Sequence, residues 1–134
     1  MSDSVHIPGP RDVRGTLDTT ADAADCCTVA CPPHPQLGGT RRDFRLRRVR
    51  DSLLDRGVDC LRFDYGEWDE GRGEQADATR AIEWARSNYE RVALFGYSFG
   101  ASIALLVAAE DDGLAGVSAL APGADVGKEL DVLG

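Results

Sequence analysis

Residues 92–106 read Val-Ala-Leu-Phe-Gly-Tyr-Ser-Phe-Gly-Ala-Ser-Ile-Ala-Leu-Leu: an apolar run of strand length, a Gly96-x-Ser98-x-Gly100 turn, then an apolar run that suits a helix. No other stretch restricts the fold as strongly. Glycines on both sides of one serine let a strand turn sharply into a helix, which presents the Ser98 hydroxyl at the edge of a sheet beside a helix N-terminus. Ser98 is therefore the candidate nucleophile.

The rest of the chain supplies the sheet such a turn needs. Ser4-Val-His-Ile and Val13-Arg-Gly-Thr-Leu flank Pro8-Gly-Pro-Arg-Asp, two short alternating segments around a turn signal, which predicts an antiparallel hairpin at a sheet edge. Residues 27–31, 59–64, 91–95 and 115–120 are four candidate core strands. Between them, Leu46, Val49, Leu53 and Leu54 fall on one helical face and Gly57 follows as a stop, while Ala78, Ala81, Ile82 and Ala85 repeat the pattern before Asn88. Residues 103–109 are apolar nearly all round, so the helix after Ser98 should be deeply buried. Strand and helix alternating in this order predict an α/β fold: a mainly parallel sheet with an N-terminal antiparallel hairpin and helices on both faces. At 134 residues the chain suits a single domain spanning 1–134.

Composition narrows the partners. The net charge is -8, with 16 Asp and 7 Glu against 14 Arg and one Lys, which disfavours nucleic acid and anionic membrane and matches the acidic surfaces of halophilic proteins. No window reaches the roughly 20 apolar residues of a membrane span, and Met1-Ser-Asp-Ser-Val lacks a charged region followed by a hydrophobic one, so a cytoplasmic location is expected. Cys26, Cys27, Cys31 and Cys60 fall on or beside apolar runs, where they read as reduced, buried, small hydrophobes. Cys27, Cys31 and His34 form a C-x3-C-x2-H run, but a strand turns the two thiols to one face several ångströms apart and no fourth ligand is in sight. No metal and no cofactor is expected.

A serine hydroxyl needs a general base, normally histidine, a third group to orient that base, and two donors for the oxyanion of the tetrahedral intermediate. Each donor is worth about 3 kcal/mol in the transition state. The N–H of Phe99, in the first helical turn, is one. The second should come from the loop after the third strand, Cys31-Pro-Pro-His-Pro-Gln-Leu-Gly-Gly-Thr. Its prolines have no N–H, which leaves His34, Gln36, Leu37, Gly38 and Gly39; His34 is preferred, in a proline-stiffened turn ahead of a helix expected to start near Thr40.

Pro33-His34-Pro35 with Gly38-Gly39, the loop Phe63-Asp-Tyr-Gly-Glu-Trp-Asp-Glu-Gly-Arg-Gly, and Gly96-Tyr-Ser-Phe-Gly together resemble the α/β-hydrolase family, in its small intracellular members with a His/Pro-rich loop. The resemblance runs from about Val5 to Pro122. It implies Ser98 as nucleophile, His34 and Phe99 as oxyanion donors, and a small-molecule ester- or thioester-type acyl substrate. The sequence departs from the family at the base: its two histidines, His6 and His34, both precede Ser98, and the later strands that carry the family's acid and base are not in these 134 residues. The fold expected is thus an incomplete, C-terminally truncated one. Asp125 stands where a minority of the fold's members carry the acid, against the plainer reading of a surface aspartate.

Alternatives stay open at this point. His34 could serve as base, although a residue chosen for its backbone N–H in a tight loop rarely also reaches the hydroxyl with its ring. His6 reads as a strand or surface residue. Arginines 41, 42, 45, 47, 48, 50 and 56 could hold an anionic substrate; the plainer reading is a solvated helix face paired with Asp43, Asp51 and Asp55. Asp64, Glu67, Asp69, Glu70 and Glu74 read as a solvated acidic loop. The chain is then a serine hydrolase impaired by loss of its histidine, a non-catalytic remnant or ligand-binding module, or half of a two-chain hydrolase, and the open sheet edge expected after residue 120 predicts self-association.

Overall fold

The computed structural model describes residues 1–122. Its elements are β1 (Ser2–Ile7), β2 (Val13–Asp18), β3 (Cys26–Cys31), α1 (Phe44–Asp55), β4 (Asp59–Asp64), α2 (Arg72–Arg86), β5 (Arg91–Tyr97), α3 (Phe99–Ala109) and β6 (Val117–Leu120). The sheet has six strands in the order β1-β2-β4-β3-β5-β6. It is antiparallel at β1/β2 and β2/β4 and parallel across the other pairs. The N-terminal hairpin lies at one edge, as its turn residues predict, and β4, β5 and β6 are each reached through a helix.

The period of two along each strand divides the core between the faces. Cys27, Val29, Cys31, Leu61, Phe63, Val92 and Leu94 meet Ala78, Ala81, Ile82 and Ala85 of α2 and Ile103, Ala104 and Val107 of α3. Ala30, Cys60 and Phe95 turn the other way, onto Leu46, Val49 and Leu53 of α1. A central strand buried on both sides must be apolar throughout, which is why Cys-Thr-Val-Ala-Cys is nearly unbroken.

Three boundaries differ from the sequence reading. The helix α1 starts at Phe44, not near Thr40. The Arg41 N–H donates to Asp64 Oδ1 at 2.6 Å, which pins residues 40–42 to the end of β4 as a turn, and Asp43 caps the helix by accepting the N–H groups of Arg45 (2.9 Å) and Leu46 (3.4 Å). The helix α2 starts at Arg72, well before its apolar stripe, because the Glu74 carboxylate accepts the Gly71 N–H at 2.8 Å and organises the first turn. The last strand is shorter than the apolar run 115–120. It forms the far edge of the sheet, with Val117 42% and Leu120 51% exposed. Among the described residues nothing covers the adjoining groove of about 510 Å³, lined in part by Val49, Leu53, Phe95, Val117 and Leu120. Among the described residues no helix is long and apolar enough to cross a membrane.

The antiparallel corner is held by charge. Asp18 of β2 and Arg62 of β4 are buried on the same face, and the Arg62 Nε and Nη2 donate to the Asp18 carboxylate at 2.8 and 3.3 Å. The Ser2 hydroxyl donates to the same carboxylate at 2.6 Å, and Arg62 Nη1 to the Arg41 carbonyl at 2.8 Å. A one-residue slip of β2 against β4 would move one member of the pair to the opposite face, so the pair fixes the register as well as satisfying its own charges. Arg62→Met leaves the buried Asp18 with only Ser2 and the longer contact to Arg50, at 3.9 Å, and should cost about 3 kcal/mol in urea unfolding, whereas Asp18→Leu combined with Arg62→Met should recover most of that loss. A double variant no more stable than the single one would contradict this account.

Candidate active site

The turn at Ser98 is made by backbone contact. Ser98 adopts φ 57° and ψ -119°, a conformation that a side-chain-bearing residue holds only at a cost. Both flanking glycines are required: a Cβ on Gly96 would fall on the Gly100 carbonyl, and one on Gly100 on the carbonyls of Cys31 and Pro32. From the other side, the Ser98 N–H donates to the Leu120 carbonyl at 2.9 Å, so the end of β6 holds the turn. The Ser98 carbonyl accepts the N–H groups of Ala101 (3.0 Å) and Ser102 (3.2 Å) and starts α3. The hydroxyl of Ser98 makes no cap bond to this helix, and among the described residues it has no hydrogen-bond partner. Helix geometry likewise leaves the Phe99 N–H without an acceptor inside α3.

The loop after β3 crosses this turn. The buried Tyr65 hydroxyl donates to the Pro32 carbonyl at 3.0 Å. Burial raises the Tyr65 hydroxyl well above the usual tyrosine range, which keeps it a donor. His34 then opens a short 3-10 turn over Pro35–Leu37. Its Nδ1 accepts the Gln36 N–H at 3.1 Å, its carbonyl accepts the N–H groups of Leu37 and Gly39 at 3.0 Å, and Gly38 donates to the Pro35 carbonyl at 3.3 Å. Of the N–H groups the sequence left as second donor, those of Gln36, Leu37, Gly38 and Gly39 are committed inside the turn. The His34 N–H is the one with no acceptor among the described residues.

The same contacts bear on the base. Because Nδ1 of His34 accepts an N–H, the neutral ring carries its proton on Nε2 and has no second lone pair for the serine proton. The ring is also packed against Trp68 (4.5 Å) and Phe99 (4.7 Å). His6 is 61% exposed on β1, 3.4 Å from Asp12. Four strand spacings separate β1 from β5, about 19 Å. Neither histidine is placed to take the Ser98 proton, and Asp125 lies outside the described residues. The thiols are no substitute: burial pushes Cys60 up to about 12 and Cys27 and Cys31 higher still, so all three stay protonated at neutral pH.

The acidic loop differs most from its sequence reading. Glu74 is fully buried, accepting the N–H groups of Asp69 (2.9 Å) and Gly71 (2.8 Å). Asp77, also fully buried and not singled out by the sequence, accepts the Gly66 N–H at 2.9 Å and pairs with Arg11 Nε at 2.8 Å. Glu74 accepts the N–H of a glycine N-cap that has no side chain of its own, so the pattern lacks the usual sequence signature; the Arg11 partnership, spanning 66 positions, left no local signal at all. The arginines of α1 follow their plainer reading in part. Asp43 takes Arg45 at 2.7 Å and Asp51 takes Arg50 at 2.8 Å, while Asp55 pairs with none of them. The Arg45 guanidinium also stacks on Tyr97, 4.1 Å from its ring centre.

Residues 63–132 match the family model described as X-Pro dipeptidyl-peptidase (S15 family). The quorum-quenching protein AidA of Acinetobacter baumannii is 35% identical over 103 residues, 66% of this chain and 34% of that protein. A solved putative alpha/beta hydrolase of Agrobacterium tumefaciens superposes with a TM-score of 0.80 at 28% identity, over 90% of this chain and 60% of that one. An α/β serine hydrolase without lid from Xanthomonas campestris gives 0.78 at 25% identity, over 87% and 60%. The chain spans about a third of the length of the curated relatives it matches. The strain at the turn is measurable without any assay of chemistry: Ser98→Gly should raise the unfolding free energy by about 1 kcal/mol, and Gly100→Ala should lower it by about 3 kcal/mol through the clash with Cys31 and Pro32. A Ser98→Gly variant less stable than the parent would count against a strained turn.

Proposed function

The chain belongs to the α/β hydrolases, in the S15 family, and from that footing we propose that it carries the nucleophile and oxyanion machinery of a serine hydrolase for a small ester- or thioester-type acyl substrate. In this reading the Ser98 oxygen adds to the acyl carbon, the carbonyl electron pair moves onto its oxygen, and the N–H groups of Phe99 and His34 receive the developing charge. The observation that carries the reading is the meeting of a strained, unpartnered serine with a loop in which every alternative donor but His34 is already bonded. The net charge of -8 favours a small molecule over a polyanion as partner.

The reading leaves the proton of Ser98 without an acceptor among the described residues. The same observation favours the second reading, a module that binds an acyl compound without turning it over. Half of a two-chain hydrolase is the first reading with the base supplied by another polypeptide.

Free imidazole separates these readings, since it can enter an open site and stand in for a missing histidine. The chain in high salt, treated with a fluorophosphonate, should be labelled slowly at Ser98 and at least about tenfold faster with imidazole, a modest share of what a positioned base contributes. Ser98→Ala should abolish labelling under both conditions. No labelling of Ser98 with or without imidazole would exclude the hydrolase reading and leave the binding module.

A further inference from the structure

Trp68 stands in an irregular segment, residues 65–71, yet its indole has a fixed place: its ring centre is 4.5 Å from that of His34 and 5.6 Å from that of Phe99, and the His34 and Phe99 rings are 4.7 Å apart. The three rings form a triangle whose other two corners belong to the two residues read above as oxyanion donors. From this geometry we infer that Trp68 is a positioning residue for the His34 N–H, held in place by a buried carboxylate pair and an arginine from the opposite edge of the sheet.

Each link is a direct contact in the molecule. The His34 side chain and carbonyl are the hub of the loop, accepting from Gln36, Leu37 and Gly39, so the orientation of its ring sets the loop's path and with it the direction of its own N–H. Phe99 supports the ring from the helix side, and Trp68 contacts both the ring and Phe99. No regular structure holds Trp68. Its segment is anchored where Gly66 donates to Asp77 at 2.9 Å and where Asp69 and Gly71 donate to Glu74. Two buried carboxylates side by side need a cation, and Arg11, from the turn between β1 and β2, supplies it at 2.8 Å from Asp77 and 3.6 Å from Glu74 while donating to the Glu67 carbonyl. Gly73 makes room for that guanidinium: a Cβ there would come within 2.5 Å of Arg11 Nη1. The N-terminal hairpin, far from Ser98 along the sheet, thus reaches the oxyanion loop through four side chains.

The inference rests on the oxyanion reading of His34, and its test separates the two. Amide hydrogen exchange reads the loop without any chemistry: in Trp68→Ala the N–H groups of Leu37 and Gly39 should exchange at least tenfold faster than in the parent, those of the β3/β5 ladder should be unchanged, and Trp68→Phe should restore most of the protection. Fluorophosphonate labelling in the presence of imidazole reads the donor: Trp68→Ala should lower the maximal inactivation rate by tenfold or more with little change in the concentration for half-maximal rate, and Trp68→Phe should stay within threefold of the parent. Unchanged exchange at Leu37 and Gly39 in Trp68→Ala overturns the positioning role whatever the labelling does. Faster exchange with an unaltered labelling rate also overturns it, by showing a loop that moves without moving the donor. A parent chain that never labels, with exchange as expected, places the failure in the hydrolase reading and leaves Trp68 as the residue that orders the loop.

Discussion

At the point where β3 ends, the carbonyls of Cys31 and Pro32 lie so close to Gly100 that no side chain fits between them. That approach brings the start of α3 under the loop that follows β3 and sets the spacing between the Phe99 peptide and His34. It also explains the strain at Ser98, since a helix starting this close to a neighbouring strand's exit leaves the preceding residue no relaxed conformation. The parallel ladder between β3 and β5, in register from Cys26 against Arg91 to Cys31 against Gly96, holds both chains in place up to the crossing. A strained turn persists only where its surroundings over-determine it, and here a full ladder on one side and the Leu120 carbonyl on the other do so.

Charge does the work at the antiparallel side. The chain is strongly acidic, yet several of its carboxylates are not on the surface: Asp18, Glu74 and Asp77 are buried, and each is matched to an arginine. Buried ion pairs add little net stability compared with apolar packing, because desolvation offsets most of the attraction. Their contribution is selection among arrangements. Asp18 with Arg62 admits one register of β2 on β4, and Arg11 with Asp77 and Glu74 admits one placement of the segment that carries Trp68. In a protein whose surface repels itself, arginines paired to buried carboxylates in one geometry give the N-terminal hairpin a defined seat.

Local patterns carried the elements that the sequence made legible. The alternation around Pro8-Gly-Pro-Arg-Asp gave the hairpin, the apolar runs gave the parallel strands, and Gly96-x-Ser98-x-Gly100 gave the elbow together with its dependence on glycine. Two kinds of information were out of reach. The start of α1 depends on Arg41 meeting Asp64 and on Asp43 outcompeting Thr40 as a cap, a contest settled by where β4 ends and not by local propensity. The role of residues 64–74 depends on which carboxylates face inward, and in a sequence so rich in Asp and Glu a buried acid looks like any other. His34 lies between these cases: its neighbours' prolines shortened the list of donors, and the turn's own hydrogen bonds removed the rest.

Nucleophile, oxyanion donors and base are separable in energy as well as in sequence. Two backbone donors aimed at the oxyanion stabilise its charge whether or not a histidine is present, and enzymes stripped of their triads still exceed the uncatalysed rate by about 10³ to 10⁴. That residue of catalysis needs preorganised N–H groups, and in the reading proposed above they would be held by glycine contacts, an aromatic triangle and an arginine bridge that lie within the described residues. On that reading, a base supplied from elsewhere would meet a site already shaped for the tetrahedral intermediate. The cost of assembling that shape falls on the folding of the sheet and the burial of its ion pairs, not on the arrival of the base, so in that reading the geometry around Ser98 does not depend on the base being present.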